Sequence, residues 1–305
     1  MADTSSEGGE ADSIDVLRSD PRVHFSRTAL GAARRTRIVS LVPSLSEAVH
    51  ALGLGDRLVG VTEYCVHPAG AFAGLAKVGG TKDADVAAIA ALAPDLVIAN
   101  EEENTARVVR QLAERDLDVW VTYPRTVREG AELLAEIADL GADDTARAAH
   151  VTPCLDAVAK AEARLAANAN VDAAARPSVF CPIWRDPWMT IAAGTYIHDM
   201  IELCGGRNLF GGAAADAIRG RADRRYPLVD LEAVVALDPD VILLPDEPYA
   251  FGETDTVELL ATDCDAARRG RVHLIDGTLV SWYGPRIAEA IQVLAGILAR
   301  TSERV

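Results

Sequence analysis

The chain has 305 residues, half of them hydrophobic, and its 46 acidic against 30 basic side chains give a formal net charge of −16. That charge repels phosphate backbones and anionic membrane surfaces, which excludes nucleic acid as an expected partner. Each apolar run is closed early by Pro, Asp or Gly, well short of the roughly 20 residues of a membrane span, so no transmembrane segment is expected. Residues 1–35 are rich in Ser, Asp, Glu and Gly without a helix or strand period, which predicts a mobile acidic tail. They lack the basic start and apolar stretch of a secretory signal, so the sequence as written predicts a cytoplasmic protein, extracytoplasmic only if a signal was removed. The five cysteines are scattered, with no Cys-x-x-Cys, which agrees with a reducing compartment.

From Arg37 onward, strands and amphipathic helices alternate: strand 37–42, helix 44–52, strand 58–62, helix 85–92, strand 96–99, helix 104–115 and strand 119–122. This predicts an α/β lobe over 36–142. The Ala-, Leu-, Glu- and Arg-rich stretch from Val127 to about Ala174, interrupted at Gly141 and Pro153, reads as one helix and then a long second one, with 143–175 as connector. Strands at 178–180, 241–244 and 272–275 and a closing helix over 285–299 form a second lobe, 176–305. The expected fold class is α/β: two Rossmann-like lobes with parallel-type sheets, joined by one long backbone helix, with a ligand cleft between them.

The halves are related in sequence. Residues 88–100 match residues 233–245 at a constant offset of 145, and Glu102 then matches Glu247. In both, a helix is stopped by Pro and Asp and followed by a strand apolar on both sides, as a buried parallel strand reads. Ligands in such folds bind at the loops that follow the strands, so those loops hold the candidate residues.

Tyr64-Cys65-Val66-His67-Pro68 follows the second strand, where Cys65 and His67 could ligate a soft or borderline metal, free or within a tetrapyrrole or corrinoid; a packed cysteine and a turn-capping histidine are the alternative. Glu101, Glu102 and Glu103 could bind a hard cation or meet an Arg on the ligand side, or serve as helix N-terminal acids beside an Asn104 cap. Trp184, Arg185 and Trp188 lie in a loop with no helical period, where large aromatics are expected to cover a ligand or partner. Tyr196 and His198 fall on the next helix, His198 as an axial ligand or a satisfied helix histidine. Two further loops carry Glu247 with Tyr249 and Trp282 with Tyr283 and Arg286. Arg225 and Arg286 could fork onto ligand carboxylates or propionates, or form ordinary ion pairs. There is no Gly-x-Ser-x-Gly, His-Glu-x-x-His, P-loop or Gly-x-Gly-x-x-Gly, so no enzymatic activity and no required cofactor are expected.

Arg37–Ser44 with Glu47, the Pro94-Asp95-Leu96-Val97 turn and Cys204–Phe210, in this order, resemble the class III periplasmic-binding-protein superfamily, nearest to its cobalamin-binding branch. The resemblance runs from about Arg37 to the C-terminus. It implies a monomeric binding component of an ABC importer whose ligand is a metal chelate: a corrinoid such as cobalamin, haem or a ferric siderophore. It also implies a cleft lined by aromatics, with Tyr64 and Tyr226 at two such positions, whereas Thr81 and Asn100 stand where cobalamin binders carry tryptophan. Importer-coupled members present a surface Glu on each lobe to the permease; Glu232 fits that place, and its repeat mate is Ala87. A cytosolic protein of the same fold that binds or senses a metal or tetrapyrrole is the alternative, which the missing signal and Ala87 favour, and a chelatase-like enzyme is a third reading.

Overall fold

The computed structural model describes residues 14–168, 175–212 and 225–302. The chain divides into two compact units. One takes the residues up to Tyr123 together with Glu132–Thr152, the other Pro124–Ala131 together with the residues from Pro153 onward. The chain thus passes between them three times: after Tyr123, within the helix Val127–Ala138, and at the start of the helix Thr152–Ala167. Residues 169–174, the end of the expected connector, lie outside the described residues.

The first unit is built on a six-stranded, all-parallel sheet. Its order is β1 (Val23–His24), β6 (Val119–Thr122), β5 (Leu96–Asn100), β2 (Ile38–Ser40), β3 (Leu58–Val61) and β4 (Ala76–Lys77). Every residue of β2, β5 and β6 is buried, which is why these strands read as continuous apolar runs. The helix expected over 44–52 runs as Pro43–Val49 and then opens into a π turn, His50–Leu54, kinked at Gly53, whose φ is 72°.

The expected mobile tail needs correcting. From Ile14 onward it is packed: Ile14, Leu17 and Val23 join the core formed by Val109, Leu112 and Val119, and β1 extends the sheet along β6. Its apolar residues are too few and too widely spaced to give a period, yet a two-residue strand on an existing edge needs none. Residues 1–13 lie outside the described residues.

The second unit has a four-stranded parallel sheet, β10 (Arg207–Asn208), β7 (Ser178–Phe180), β11 (Val241–Pro245) and β12 (Val272–Ile275). An antiparallel hairpin, β8 (Pro182–Trp184) with β9 (Met189–Thr190), follows β7. Phe180, Phe210, Ile242 and Leu244 centre its core.

In both sheets the strand order reverses about one strand. The chain leaves β2 for β3 on one side and later returns to β5 on the other; it leaves β7 toward β10 and returns to β11. Open parallel sheets bind ligands in the crevice that such a reversal leaves at the carboxyl ends of the strands. The loops after β2 and β5, and those after β7 and β11, occupy these positions.

The 145-residue offset holds in the backbone. Asp85 and Asp230 cap the helices Val86–Ala91 and Leu231–Ala236, and Ala93 (φ 45°) and Asp238 (φ 51°) end the matching turns with positive φ. Asp95 then accepts from the Thr36 and Arg37 amides at 2.7 and 3.1 Å, while Asp240 accepts from the Ser178 amide and hydroxyl, both at 2.7 Å. Each aspartate thereby ties the start of one strand to its neighbour. Asp240→Ala would leave buried Ser178 donors without a partner and is expected to cost about 1–3 kcal/mol in chemical denaturation; a loss under about 0.5 kcal/mol, the range of an indifferent surface change, would show that this tie does not hold the strand pair.

Candidate functional site

At the switch point of the first unit the loop after β5 is held by two asparagines. The Asn100 side chain donates to the Thr122 carbonyl at 3.0 Å and accepts from the Glu102 and Glu103 amides at 2.8 and 3.2 Å. Asn104 accepts from the Asn100 amide at 2.8 Å and donates to the Leu41 and Thr81 carbonyls at 3.3 and 2.8 Å, closing the loop across the end of β2. Asn104 therefore clasps the loop, while Thr105 caps the helix Ala106–Ala113. Lys82 donates to the Glu102 carbonyl. Burial pushes the Glu103 carboxyl above the ordinary glutamate range, against the opposing pull of Lys82.

The loop after β3 corrects the expected metal pair. Cys65 is buried with its Sγ 3.1 Å from Ser46 Oγ and 3.2 Å from Thr62 Oγ1, while His67 and Tyr64 are exposed, Tyr64 at 62%. Cys65 turns inward into a hydroxyl cluster and His67 lies on the surface, so spacing in sequence does not produce a joint ligand set. Among the described residues no group of three or more His, Cys, Asp or Glu could hold a metal ion, the Glu101–Glu103 run included.

The second unit brings together the aromatics that the sequence spreads over two loops. Trp184 meets the Tyr249 ring edge-on at 5.6 Å, Tyr249 lies 4.7 Å from Phe251, and Trp188 stacks on Phe251 at 5.8 Å with the planes 10° apart. Trp184 is 46% exposed, Trp188 and Tyr249 are half-buried and Phe251 forms the buried floor. This shelf stands on the β8–β9 hairpin and the loop after β11, at the switch point of that sheet. Phe251 was not among the expected residues, although it lies two positions from Tyr249, the spacing at which extended side chains share a face.

Arg185 does not reach out from the shelf. It donates to Asp255 and, at 2.5 Å, to Glu258, and its guanidinium lies 5.3 Å from the Trp188 ring. Arg286 is likewise engaged, donating to Thr278 Oγ1 at 2.9 Å beside Asp276 and lying over Trp282 at 5.3 Å. Arg225 lies 5.6 Å from the Tyr226 ring. Tyr196 is a core residue, buried edge-on against Tyr283, with its hydroxyl donating to the Trp282 carbonyl at 3.4 Å. Gly130 permits this packing, because a Cβ there would come within 2.9 Å of Tyr283 and 3.0 Å of Tyr196. His198 is the satisfied helix histidine: its Nδ1 is 3.2 Å from the side-chain amide nitrogen of Asn208.

Glu247 sits beneath the loop before the last helix and accepts from Ser281 Oγ at 3.0 Å. Burial raises its carboxyl above the ordinary glutamate range, Ser281 and Trp282 oppose this as donors, and Asp246 and Asp276 add to it. A raised folded value means that Glu247 favours folding most when protonated, and that this contribution is lost as pH rises through the raised value. Glu247→Gln is therefore expected to reduce the fall in melting temperature between mildly acidic and neutral pH. An unchanged pH profile in the variant would contradict this.

Glu232 and Ala87 occupy corresponding places. Both are exposed in the first turn of a helix, with amides donating to the capping Asp230 and Asp85 at 2.8 and 2.9 Å.

A family model described as periplasmic binding protein matches residues 38–276, and the chain belongs to that family. It is similar to the vitamin B12-binding protein of Vibrio parahaemolyticus, with 25% identity over 267 residues that cover 88% of this chain and 90% of that protein. It is also similar to an uncharacterized ABC transporter substrate-binding lipoprotein, YvrC, of Bacillus subtilis, 29% identical over 266 residues, 85% of this chain and 78% of that one. Among solved structures, the periplasmic vitamin B12 binding protein BtuF of Vibrio cholerae aligns with a TM-score of 0.73 at 23% identity over 89% of this chain and 99% of that one. A periplasmic heme binding protein from Pseudomonas aeruginosa aligns at 0.68 with 26% identity, covering 87% and 92%. The two-unit α/β architecture expected from the sequence is that of these proteins.

Proposed function

We propose that this chain is the substrate-binding component of an ABC-type importer and that its cargo is a metal chelate of the corrinoid or tetrapyrrole kind. The observation that carries this reading is the aromatic shelf of Trp184, Trp188, Tyr249 and Phe251 at a sheet's switch point, in a chain that matches vitamin B12-binding relatives over most of their length. A flat macrocycle offers such a shelf the broad apolar face that aromatic rings bury well. The role needs binding without turnover, so the metal belongs to the cargo and no protein side chain has to ligate it.

Glu232 is the docking acid on this reading, and the corresponding helix of the first unit carries no carboxylate at Ala87. An importer component meets its cargo outside the cytoplasm, and protease accessibility on intact cells reads that directly. Thermal denaturation with cyanocobalamin, haem and ferric siderophores tests the cargo: a true ligand at a hundredfold excess over its Kd stabilises by about 2.7 kcal/mol. A melting temperature that no chelate moves would count against the reading. A chain confined to the cytoplasm would remove the importer role and leave ligand binding intact.

A further inference from the structure

We infer, resting on the binding reading above, that Asp255 is the positioning residue of the shelf: its carboxylate fixes the hairpin that carries Trp184 and Trp188 against the loop that carries Tyr249 and Phe251. The four rings stand on two separate segments of the chain. Ring contacts tolerate a spread of centroid distances, roughly 4.5–7 Å, so they do not by themselves hold two segments in register. Directional bonds to a fixed group do.

Asp255 supplies such bonds to both segments. One carboxylate oxygen accepts from the Arg185 guanidinium, in the hairpin turn between Trp184 and Trp188, and the other accepts from the Gly252 amide, next to Phe251, at 2.8 Å. Asp255 is itself set by the first turn of the helix Glu253–Leu260, and its side chain is only 10% exposed. Burial would raise its carboxyl, but the Gly252 amide and Arg185 bring it below the ordinary aspartate range, so it stays charged and accepts on both sides. Glu258 also takes Arg185, at 2.5 Å, but its side chain is 42% exposed, where solvent screens the pair. The Arg185 guanidinium lies 5.3 Å from the Trp188 ring, so Asp255 acts on that ring through Arg185. A hairpin left loose would have to be ordered at the moment of binding, at a cost in affinity.

Asp255→Asn separates this role from the bond to Gly252. The Asn carbonyl can still accept from the Gly252 amide, while its own amide turns a donor toward Arg185, which has only donors. The variants are titrated with cyanocobalamin and with haem at a temperature where each is fully folded. The Kd of whichever chelate binds is expected to rise about tenfold in Asp255→Asn and less than about threefold in Glu258→Gln. In a Trp188→Ala background the same Asp255→Asn change is expected to add about twofold or less, because residues that act through one another are not additive. Without ligand, Asp255→Asn should lose near-ultraviolet circular dichroism from the stacked rings and keep its far-ultraviolet spectrum. An unchanged Kd, or an Asp255→Asn effect of equal size with and without Trp188, overturns the positioning role while leaving the binding reading in place. A parent protein that binds neither chelate overturns the binding reading, and the near-ultraviolet signal then still decides whether Asp255 orders the rings.

Discussion

Replacing Asp118 with alanine is expected to destabilise the first unit by about 3–5 kcal/mol, because it leaves a nearly buried guanidinium without its counter-charge. Arg35 donates to Asp118 at 2.8 Å, to the Asp95 carbonyl at 2.5 Å and to the Leu30 carbonyl at 3.1 Å, with its side chain only 10% exposed. Arg22 reaches the other Asp118 oxygen at 3.2 Å, and His24 Nε2 lies 3.5 Å from that same oxygen. Burial alone would raise the Asp118 carboxyl, but the hydrogen bonds from Arg35 and Arg22 bring it below the ordinary aspartate range.

A depressed folded value gives stability that is present above the unfolded value and lost as pH falls through the folded one. The parent should therefore lose stability on strong acidification where Asp118→Ala, already deprived of the contribution, loses less. Denaturant unfolding at neutral and acidic pH reads both effects. A cost below about 1 kcal/mol, as for a surface ion pair, would mean that the N-terminal segment is not anchored here.

Truncating Trp188 is expected to weaken binding of the chelate by roughly 10- to 100-fold, the effect of removing an aromatic anchor at the centre of a contact. Its indole stacks on Phe251 on one side and receives the Arg185 guanidinium near its ring, so the surrounding residues already fix its position. That preorganisation means little rotamer freedom is left to lose on binding. Trp188→Phe keeps a flat ring in place and should retain most of the affinity. Unchanged affinity in a well-folded Trp188→Ala protein would place the chelate elsewhere.

The features legible in the sequence were those whose causes are local. Pro94-Asp95 and Pro239-Asp240 announce a turn and a buried strand within a few residues, and both turns fold with the same caps and the same positive φ. Trp184 and Trp188 stood out as large aromatics in a loop, and the hairpin brings them together with Tyr249. What escaped was set by distant partners. Arg185 looked available to a ligand because Asp255 and Glu258 lie 70 and 73 residues away. Cys65 looked like a metal ligand until Ser46, on the preceding helix, proved to be its neighbour. Val23–His24 escaped because a two-residue edge strand has no period of its own.

Equilibrium dialysis of cyanocobalamin against the purified protein tests the central claim most directly, since it reads stoichiometry and affinity without relying on stability. Saturable binding of one corrinoid per chain, in the micromolar range or tighter and weakened by Trp188→Ala, is the predicted result. Uptake that never saturates, or binding indifferent to every shelf residue, would contradict the assignment of these loops as the ligand site.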